Sequence, residues 1–287
     1  MRQKKTILES VAQMAMTLGQ RHLSDYGAVT SRKDFTQRQL MACLILRAYL
    51  KTTYRGLLEI LATSDTLRRA LGMEDKLPHY TTLQKFSARS NVLAIVEQMI
   101  RTIGRAAARA VKAPQVAVDA TGMETTTASA HFNTRRGRSR RKWVKLSLVI
   151  FCGSLLPLAL HLDWGPSNDK TQAAALLSQA LGNAVPSRLY ADAGYDAEWI
   201  HQLCREGWGI ESVIKPVQHR NDGTLGGHYR SAMTPHHLEE RKYGRRWHIE
   251  SFISGLKRTT GSALNARSDD ALHVEAALRV LAYTLRR

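Results

Sequence analysis

The segment QVAVDAT, residues 115–121, decides the fold because the spacing of apolar residues changes there. Before Pro114, apolar residues recur at helical intervals, whereas this segment is a short run of β-branched and small residues typical of a strand. Strand-like segments then alternate with helix-like ones as far as residue 216. The sequence therefore predicts an α/β domain that starts with an antiparallel meander and continues with strand–helix crossovers.

Turn-forming residues separate the elements predicted after this segment. Strands are predicted at residues 124–132, 145–164 (two strands joined at Gly153 and Ser154), 187–192 and 209–216. Helices are predicted at residues 170–181 and 197–207, the second of them ending at Gly207.

The region before Pro114 predicts a series of short helices. Thr36 has the spacing of a capping box with Gln39, and a later helix begins at Ser64 or Asp65 and ends at Gly72. Short helices with tight turns suit a helix-turn-helix DNA reader, and they suit a helical packing module equally well. We therefore expect a helical DNA-binding or dimerising region at residues 1–112 and a second domain at residues 115–287.

The charge of the chain points to a polyanionic partner. Its 42 Lys and Arg residues outnumber its 24 Asp and Glu residues, which gives a net charge of +18. Basic residues gain affinity for nucleic acid by releasing the counterions condensed on its phosphates. DNA is therefore the expected partner, and the alternative interpretation is a basic surface that only aids solubility.

Other features of the composition restrict the location of the protein. No run of 18 apolar residues is present, so we expect no membrane span, and the basic N-terminus reads as an amphipathic helix rather than a secretory signal. The three cysteines are far apart and odd in number, which predicts buried thiols in a reducing compartment.

Two aspartates follow predicted strands. Asp119 comes after Val118, and Asp192 comes after Ala191. Ligands of open α/β sheets bind beyond the carboxyl ends of strands, so both side chains are candidates for chemistry. The alternative is that each aspartate caps a turn, and Asp163, which has a similar local sequence, keeps that alternative open.

A third carboxylate, Glu250, lies in the basic and aromatic segment RRWHIESFISGLKR, residues 245–258. On a helical wheel, Tyr243, Arg246, Glu250 and Lys257 share one edge of a single helix, beside an apolar stripe. The alternative interpretation is a surface ion pair between Arg246 and Glu250, worth about 0.3–0.5 kcal/mol. That pair would leave the tyrosine and the lysine unexplained.

The three carboxylates suit a divalent metal. Mg²⁺ prefers hard oxygen ligands and is usually held by a few carboxylates together with substrate phosphates. We therefore expect Asp119, Asp192 and Glu250 to form a metal site. Tyr243, Arg246 and Lys257 would then steady the DNA backbone beside it.

The spacing of the last four residues resembles that of a known family. Tyr243, Arg246, Glu250 and Lys257 follow the pattern Tyr-(2)-Arg-(3)-Glu-(6)-Lys. This pattern is similar to the signature of one class of bacterial insertion-sequence transposases, the DDE enzymes with a ribonuclease-H-like fold.

Two further segments resemble motifs of the same enzymes. VDATG (118–122) is similar to their first-aspartate motif, and YADAGYD (190–196) is similar to the second. In the second motif the family pattern favours Asp192 over Asp196 as the ligand. Some relatives carry a large β-rich insertion before the glutamate, and the interval after Asp192 is too short to hold it. A hairpin intermediate is therefore not implied.

The resemblance implies a complete fold and reaction. The fold is a ribonuclease-H-like catalytic domain of α/β class, preceded by an all-helical N-terminal domain. Asp119, Asp192 and Glu250 would bind two Mg²⁺ ions, for which Mn²⁺ can substitute. Water would nick the transposon end, and the freed 3′-hydroxyl would attack target DNA without a covalent enzyme intermediate.

The resemblance also implies binding partners and a cellular location, and rival hypotheses about the function stay open beside it. The enzyme would act on transposon ends and target DNA as a homodimer, in the cytoplasm of a prokaryote and close to its nucleoid. The rival hypotheses are a non-catalytic DNA-binding protein with the same fold and a structure-specific nuclease or resolvase. A phosphatase of small substrates fits the charge poorly.

A basic segment after the first strand is a further candidate for DNA contact. Its cations, within TRRGRSRRKWVK (134–145), are Arg135, Arg136, Arg138, Arg140, Arg141, Lys142 and Lys145. Such a segment can extend from the sheet over the phosphates, and Trp143 could stack on a base. The alternative is a mobile charged loop with its tryptophan packed inward.

Three histidines raise the possibility of a zinc site. His236, His237 and His248 have no standard ligand spacing and no cysteine near them in the sequence. The sequence therefore does not predict a zinc site. The glycine-rich segment NDGTLGGHY (221–229) lacks a phosphate-binding pattern and is interpreted as a loop.

Overall fold

The computed structural model describes residues 5–30, 32–125, 143–217 and 224–287. The chain divides into two compact units. Unit 1 comprises Met1–Met99 and Leu256–Arg287, and unit 2 comprises Ile100–Gly255.

Unit 1 is helical. Its helices are α1 (Ile7–His22), α2 (Gln37–Leu50), α3 (Tyr54–Ala62), α4 (Asp65–Leu71), α5 (Tyr80–Ser87) and the start of α6 (Val92–Arg109). The capping box predicted for Thr36 and Gln39 is present at the start of α2. Ser64, rather than Asp65, caps α4, and Gly72 ends it in the left-handed conformation with φ of 62°. Local sequence therefore sets these helix ends.

The last helix of the chain belongs to unit 1. It spans Asp269–Arg286, is α12 in the numbering used here, and packs against α1 and α2. Its residues from Val274 to Leu285 are all buried, and most of them are apolar, so the helix presents apolar side chains on every side. The compact units thus differ from the division at residues 112–115 that the sequence predicts, because residues distant in sequence complete the helical core. The predicted domain boundary stays a prediction.

Unit 2 holds a sheet and the helices around it. Its strands are β1 (Gln115–Glu124), β2 (Trp143–Phe151), β3 (Pro157–Gly165), β4 (Arg188–Ala191) and β5 (Glu211–Ile214). Its helices are α7 (Asp169–Leu181), α8 (Glu198–Gln202), α9 (His228–Ser231), α10 (Pro235–Glu240) and most of α11 (Trp247–Thr260).

The described residues form a five-stranded sheet in the order β3-β2-β1-β4-β5. The first three strands are antiparallel neighbours, and β4 and β5 continue the sheet in parallel with β1. The described strands follow the predicted order of a meander and then crossovers, and the strand predicted at residues 124–132 lies, beyond Thr125, outside the described residues. Together with the helical N-terminal region, this order confirms the predicted α/β class and is the arrangement expected of a ribonuclease-H-like domain.

One face of the sheet carries a core that orients the strands. Val116, Val118 and Val149 pack there with Leu176 and Leu177 of α7. Because side chains alternate between the faces of a strand, Asp119 lies on the face opposite to Val118. A 3₁₀ turn at Tyr243–Arg246 packs against β1 and β4.

The three cysteines are buried free thiols, as the sequence predicts. Burial raises the pKa of each of them to about 12, so all three are protonated near neutral pH. Among the described residues, no helix is long and apolar enough to cross a membrane.

A buried ion pair ties the last helix of unit 1 to the segment before it. Arg279 donates to Glu275 at 2.6 Å and to the carbonyls of Gly261 and Ala263. Glu275 also accepts hydrogen bonds from the backbone of Asn265 and its neighbour. Both side chains are almost completely buried, so neither charge could be left alone without a large cost.

We expect Arg279→Met to lower the free energy of unfolding by about 3–5 kcal/mol, because it leaves the buried Glu275 carboxylate without its cation. Urea unfolding followed by circular dichroism measures the change. The control is Lys76→Ala, which breaks the exposed pair with Asp34 and should cost less than about 1 kcal/mol. Equal losses in the two variants would contradict the prediction.

Candidate active site

The pairing of β1 with β4 brings two of the predicted carboxylates together. Val118 and Ala191 are partners in the parallel register, so the residues that follow them, Asp119 and Asp192, are neighbours. Asp192 follows the end of β4, as predicted, but β1 continues to Glu124, so the predicted position of Asp119 at a strand end is wrong. Asp119 Oδ1 accepts a hydrogen bond from the backbone of Ala120 at 2.7 Å. Asp192 caps the turn after β4 and accepts from the backbone of Gly194 at 2.9 Å.

The neighbouring carboxylates disfavour each other's charge. Burial and, to a smaller extent, the charge of Asp192 together raise the pKa of Asp119 to about 6, against the lowering effect of its backbone hydrogen bond. Burial likewise raises the pKa of Asp192, and the nearby Asp169 contributes to the shift. A cation between these groups would relieve the repulsion.

Arg246 joins the third carboxylate to this pair. Its guanidinium lies 3.7 Å from Asp119 Oδ2 and forms an ion pair with Glu250. The Glu250 side chain is 52% exposed, whereas that of Asp119 is 19% exposed. Arg246 therefore contacts Asp119 and Glu250, and its charge also acts on Asp192.

The single helix predicted for the four signature residues is wrong in its first part. Tyr243 and Arg246 belong to the 3₁₀ turn, and α11 begins only at Trp247. Arg246 still reaches Glu250 because the turn leads directly into the helix. The Tyr243 hydroxyl donates to the carbonyl of Ala191 at 3.2 Å, which fixes the turn against the end of β4.

Lys257, the last of the four, lies on α11 and in the part of that helix assigned to unit 1. The basic side chains predicted to contact DNA, Arg135, Arg136, Arg138, Arg140, Arg141 and Lys142, lie outside the described residues. Trp143 is described, and its indole packs closely over Gly122 and Gly165 of the neighbouring strands. The inward-packed alternative therefore describes this tryptophan.

Asp196, the competing aspartate of the second motif, has a different task. Its side chain is fully buried and forms a two-pronged ion pair with Arg230, at 2.7 Å for each contact. It also accepts from the backbone of Val217. These bonds leave Asp196 tied to the segment after β5, whereas Asp192 is directed toward Asp119.

The sequence analysis missed a second ion pair beside the site. It grouped Lys145 with the basic segment, but this side chain is buried on β2 and forms an ion pair with Asp169 at 2.6 Å. Asp169 is the first residue of α7, directly after its N-cap, Asn168. Acidic residues are common in the first turn of a helix, so this residue alone did not indicate an ion pair. A cation inside a predicted buried strand was the available signal for such a pair.

The chemistry of the carboxylates suits a divalent cation, although they are not arranged as a ready ligand set. Among the described residues, no three His, Cys, Asp or Glu side chains form a group that could hold a metal ion. Arg246 instead provides positive charge between Asp119 and Glu250.

Gly194 lies between two carboxylates, which predicts intolerance to a side chain. A Cβ there would lie 2.8 Å from Asp169 Oδ2 and 3.0 Å from Asp192 Oδ1. We expect Gly194→Ala to destabilise the fold by about 1–3 kcal/mol through this overlap, measured by urea unfolding. Gly153→Ala is the control, because nothing lies within 4 Å of its added Cβ. A harmless Gly194→Ala would contradict the prediction.

The raised pKa of Asp119 predicts a pH-dependent loss of stability without metal. The folded protein holds this proton more tightly than the unfolded chain, whose pKa is 3.8. The stabilisation is therefore complete below that pKa and is lost as the pH rises through about 6. The Asp119→Asn side chain does not ionise, so this variant does not lose stability over the same pH range.

We therefore expect the Tm of Asp119→Asn to exceed that of the wild type at neutral pH. The difference should grow between about pH 4 and pH 6 and then remain constant. Thermal melting in a chelator, across this pH range, measures it. A difference that does not change with pH would show that the pKa of Asp119 is not raised.

Comparison with known proteins identifies a family. No curated protein sequence matches the chain significantly. The model of the transposase DDE domain matches residues 111–285, which include β1, every later element of the sheet and all three carboxylates. Because the match spans more than half of the sequence, the chain belongs to the transposase DDE domain family.

Proposed function

We propose that this transposase cleaves the ends of a transposon and joins the freed 3′-hydroxyl to target DNA. The observation that carries the proposal is the parallel pairing of β1 with β4, which places Asp119, within β1, beside Asp192, just after β4, with Arg246 linking Asp119 to Glu250. The net charge of +18 supports DNA as the substrate. By family resemblance, the enzyme would act on DNA as a homodimer.

In the proposal, Asp119, Asp192 and Glu250 hold two Mg²⁺ ions, and Mn²⁺ can replace them. When bound, such ions activate an attacking hydroxyl and stabilise the leaving oxygen of a phosphodiester. The carboxylates supply hard oxygen donors, and with a pKa of about 6 Asp119 is still mostly ionised, and so able to bind a metal, at neutral pH.

Of the remaining signature residues, Arg246 and Lys257 would bind the DNA backbone, and Tyr243 would steady the turn that carries Arg246. Arg246 can release Glu250 and turn its planar guanidinium to a phosphate, which it would bind through two donors. Tyr243 stays attached to Ala191 and holds the turn in place. Lys257 and the basic segment at residues 135–142 would add sequence-independent contacts to phosphates.

The first test is cleavage of a supercoiled plasmid that carries the inverted repeats flanking the coding region. We expect Asp119→Ala, Asp192→Ala and Glu250→Ala each to lower Mg²⁺-dependent cleavage by more than about a hundredfold, since each removes a metal ligand. Binding to the same ends, measured by gel shift, should persist. Glu239→Ala, at an exposed position of unit 2, is the matched control.

Three results would contradict the proposal in different ways. Salt-sensitive binding without cleavage in Mg²⁺ or Mn²⁺ would indicate a non-catalytic DNA-binding protein. Cleavage of branched junctions in preference to the repeats would indicate a structure-specific nuclease or resolvase. Wild-type cleavage by Glu250→Ala would remove that residue from the site.

A further inference from the structure

A buried lysine is an unusual neighbour for a cluster of carboxylates. The Lys145 side chain is 6% exposed, and its ammonium lies 2.6 Å from Asp169 and 2.6 Å from the carbonyl of Ser167. An ammonium is costly to bury unless it is paired and hydrogen-bonded, and both conditions are met here. The pair thus brings one positive and one negative charge into the interior of unit 2.

The carboxylate of this pair approaches the candidate site. Asp169 Oδ2 and Asp192 Oδ1 both lie within 3.0 Å of the point where a Cβ on Gly194 would stand. The charge of Asp169 accordingly contributes to the raised pKa of both Asp119 and Asp192. Asp169 is therefore a fourth acidic group of the cluster, and it differs from the others in having a buried cation of its own.

A second observation concerns Tyr195, in the turn after Asp192. Its side chain is buried, and the Ser147 side chain is a hydrogen-bonding neighbour of its hydroxyl. The charges of Asp169, Asp119 and Asp192 all act on this hydroxyl and raise its pKa beyond the effect of burial. The three carboxylates therefore act together on one buried point of unit 2.

We propose that Lys145 and Asp169 form a charge-balancing pair that sets the affinity of the acidic site for a divalent cation. The inference rests on the proposed function, because it assumes that Asp119, Asp192 and Glu250 bind the metal. Neither Lys145 nor Asp169 touches the cation, so both are positioning residues. The negative charge of Asp169 attracts the cation, and the Lys145 ammonium offsets that attraction.

The sign of the effect distinguishes this role from a purely structural one. If the pair only tied β2 to α7, removal of either residue would loosen the site and weaken metal binding. In a charge-balancing role the two removals act in opposite directions. Loss of Asp169 leaves a buried positive charge that repels the metal, whereas loss of Lys145 leaves a negative charge that attracts it.

The experiment is a titration of the full chain with Mn²⁺, followed by the electron paramagnetic resonance signal of the free ion. It compares the wild type with Lys145→Met, Asp169→Asn and the double variant. We expect affinity to rise in Lys145→Met and to fall in Asp169→Asn, each by about tenfold, and to return close to the wild-type value in the double variant. Lys215→Met, which removes an exposed cation of unit 2, should leave the affinity unchanged.

The outcomes separate this inference from the proposed function. Saturable binding that Asp192→Ala abolishes, with equal weakening in both single variants, would overturn the inference and leave the metal site standing. No saturable binding by the wild type would overturn both. Because a misfolded protein cannot bind Mn²⁺ more tightly, the result for Lys145→Met decides the matter even if Asp169→Asn fails to fold.

Discussion

The parallel pairing of β1 with β4 is the constraint on which the candidate site depends. Its register makes Val118 and Ala191 partners, so Asp119, in the middle of β1, lies beside Asp192, the residue that follows β4. A shift of one residue would turn Asp119 to the other face and separate it from Asp192. The buried valines of β1 oppose such a shift, because they would then leave the core that packs on α7. Core packing thus sets the geometry of an acidic site.

Much of the fold could be predicted because its signals are local. The change of period at residue 115, the caps at Thr36 and Ser64 and the end of α4 at Gly72 all depend on residues close in sequence. The packing of α12 on the N-terminal helices depends on residues far apart, and no local pattern indicates it. This is why the compact units differ from the division predicted from sequence.

The site was predicted less completely, for the same reason. Strand ends and motif spacing pointed to Asp119, Asp192 and Glu250, and whether these residues perform catalysis stays a prediction. Lys145 on β2 pairs with Asp169 on α7, 24 residues later in the sequence. Local sequence does not indicate this contact, so Lys145 was assigned to the basic segment. Helical counting also placed Tyr243 on α11, because a wheel does not distinguish a 3₁₀ turn from the first turn of an α-helix.

The guanidinium of Arg246 affects the charge balance of the site when no metal is bound. Carboxylates that lie close together repel one another when no cation is bound between them. A site with carboxylates alone would therefore lower the stability of the folded state. Arg246 contacts Asp119 and Glu250 and provides a counterion that is part of the polypeptide. In the absence of a divalent ion, this counterion offsets part of the repulsion between the carboxylates.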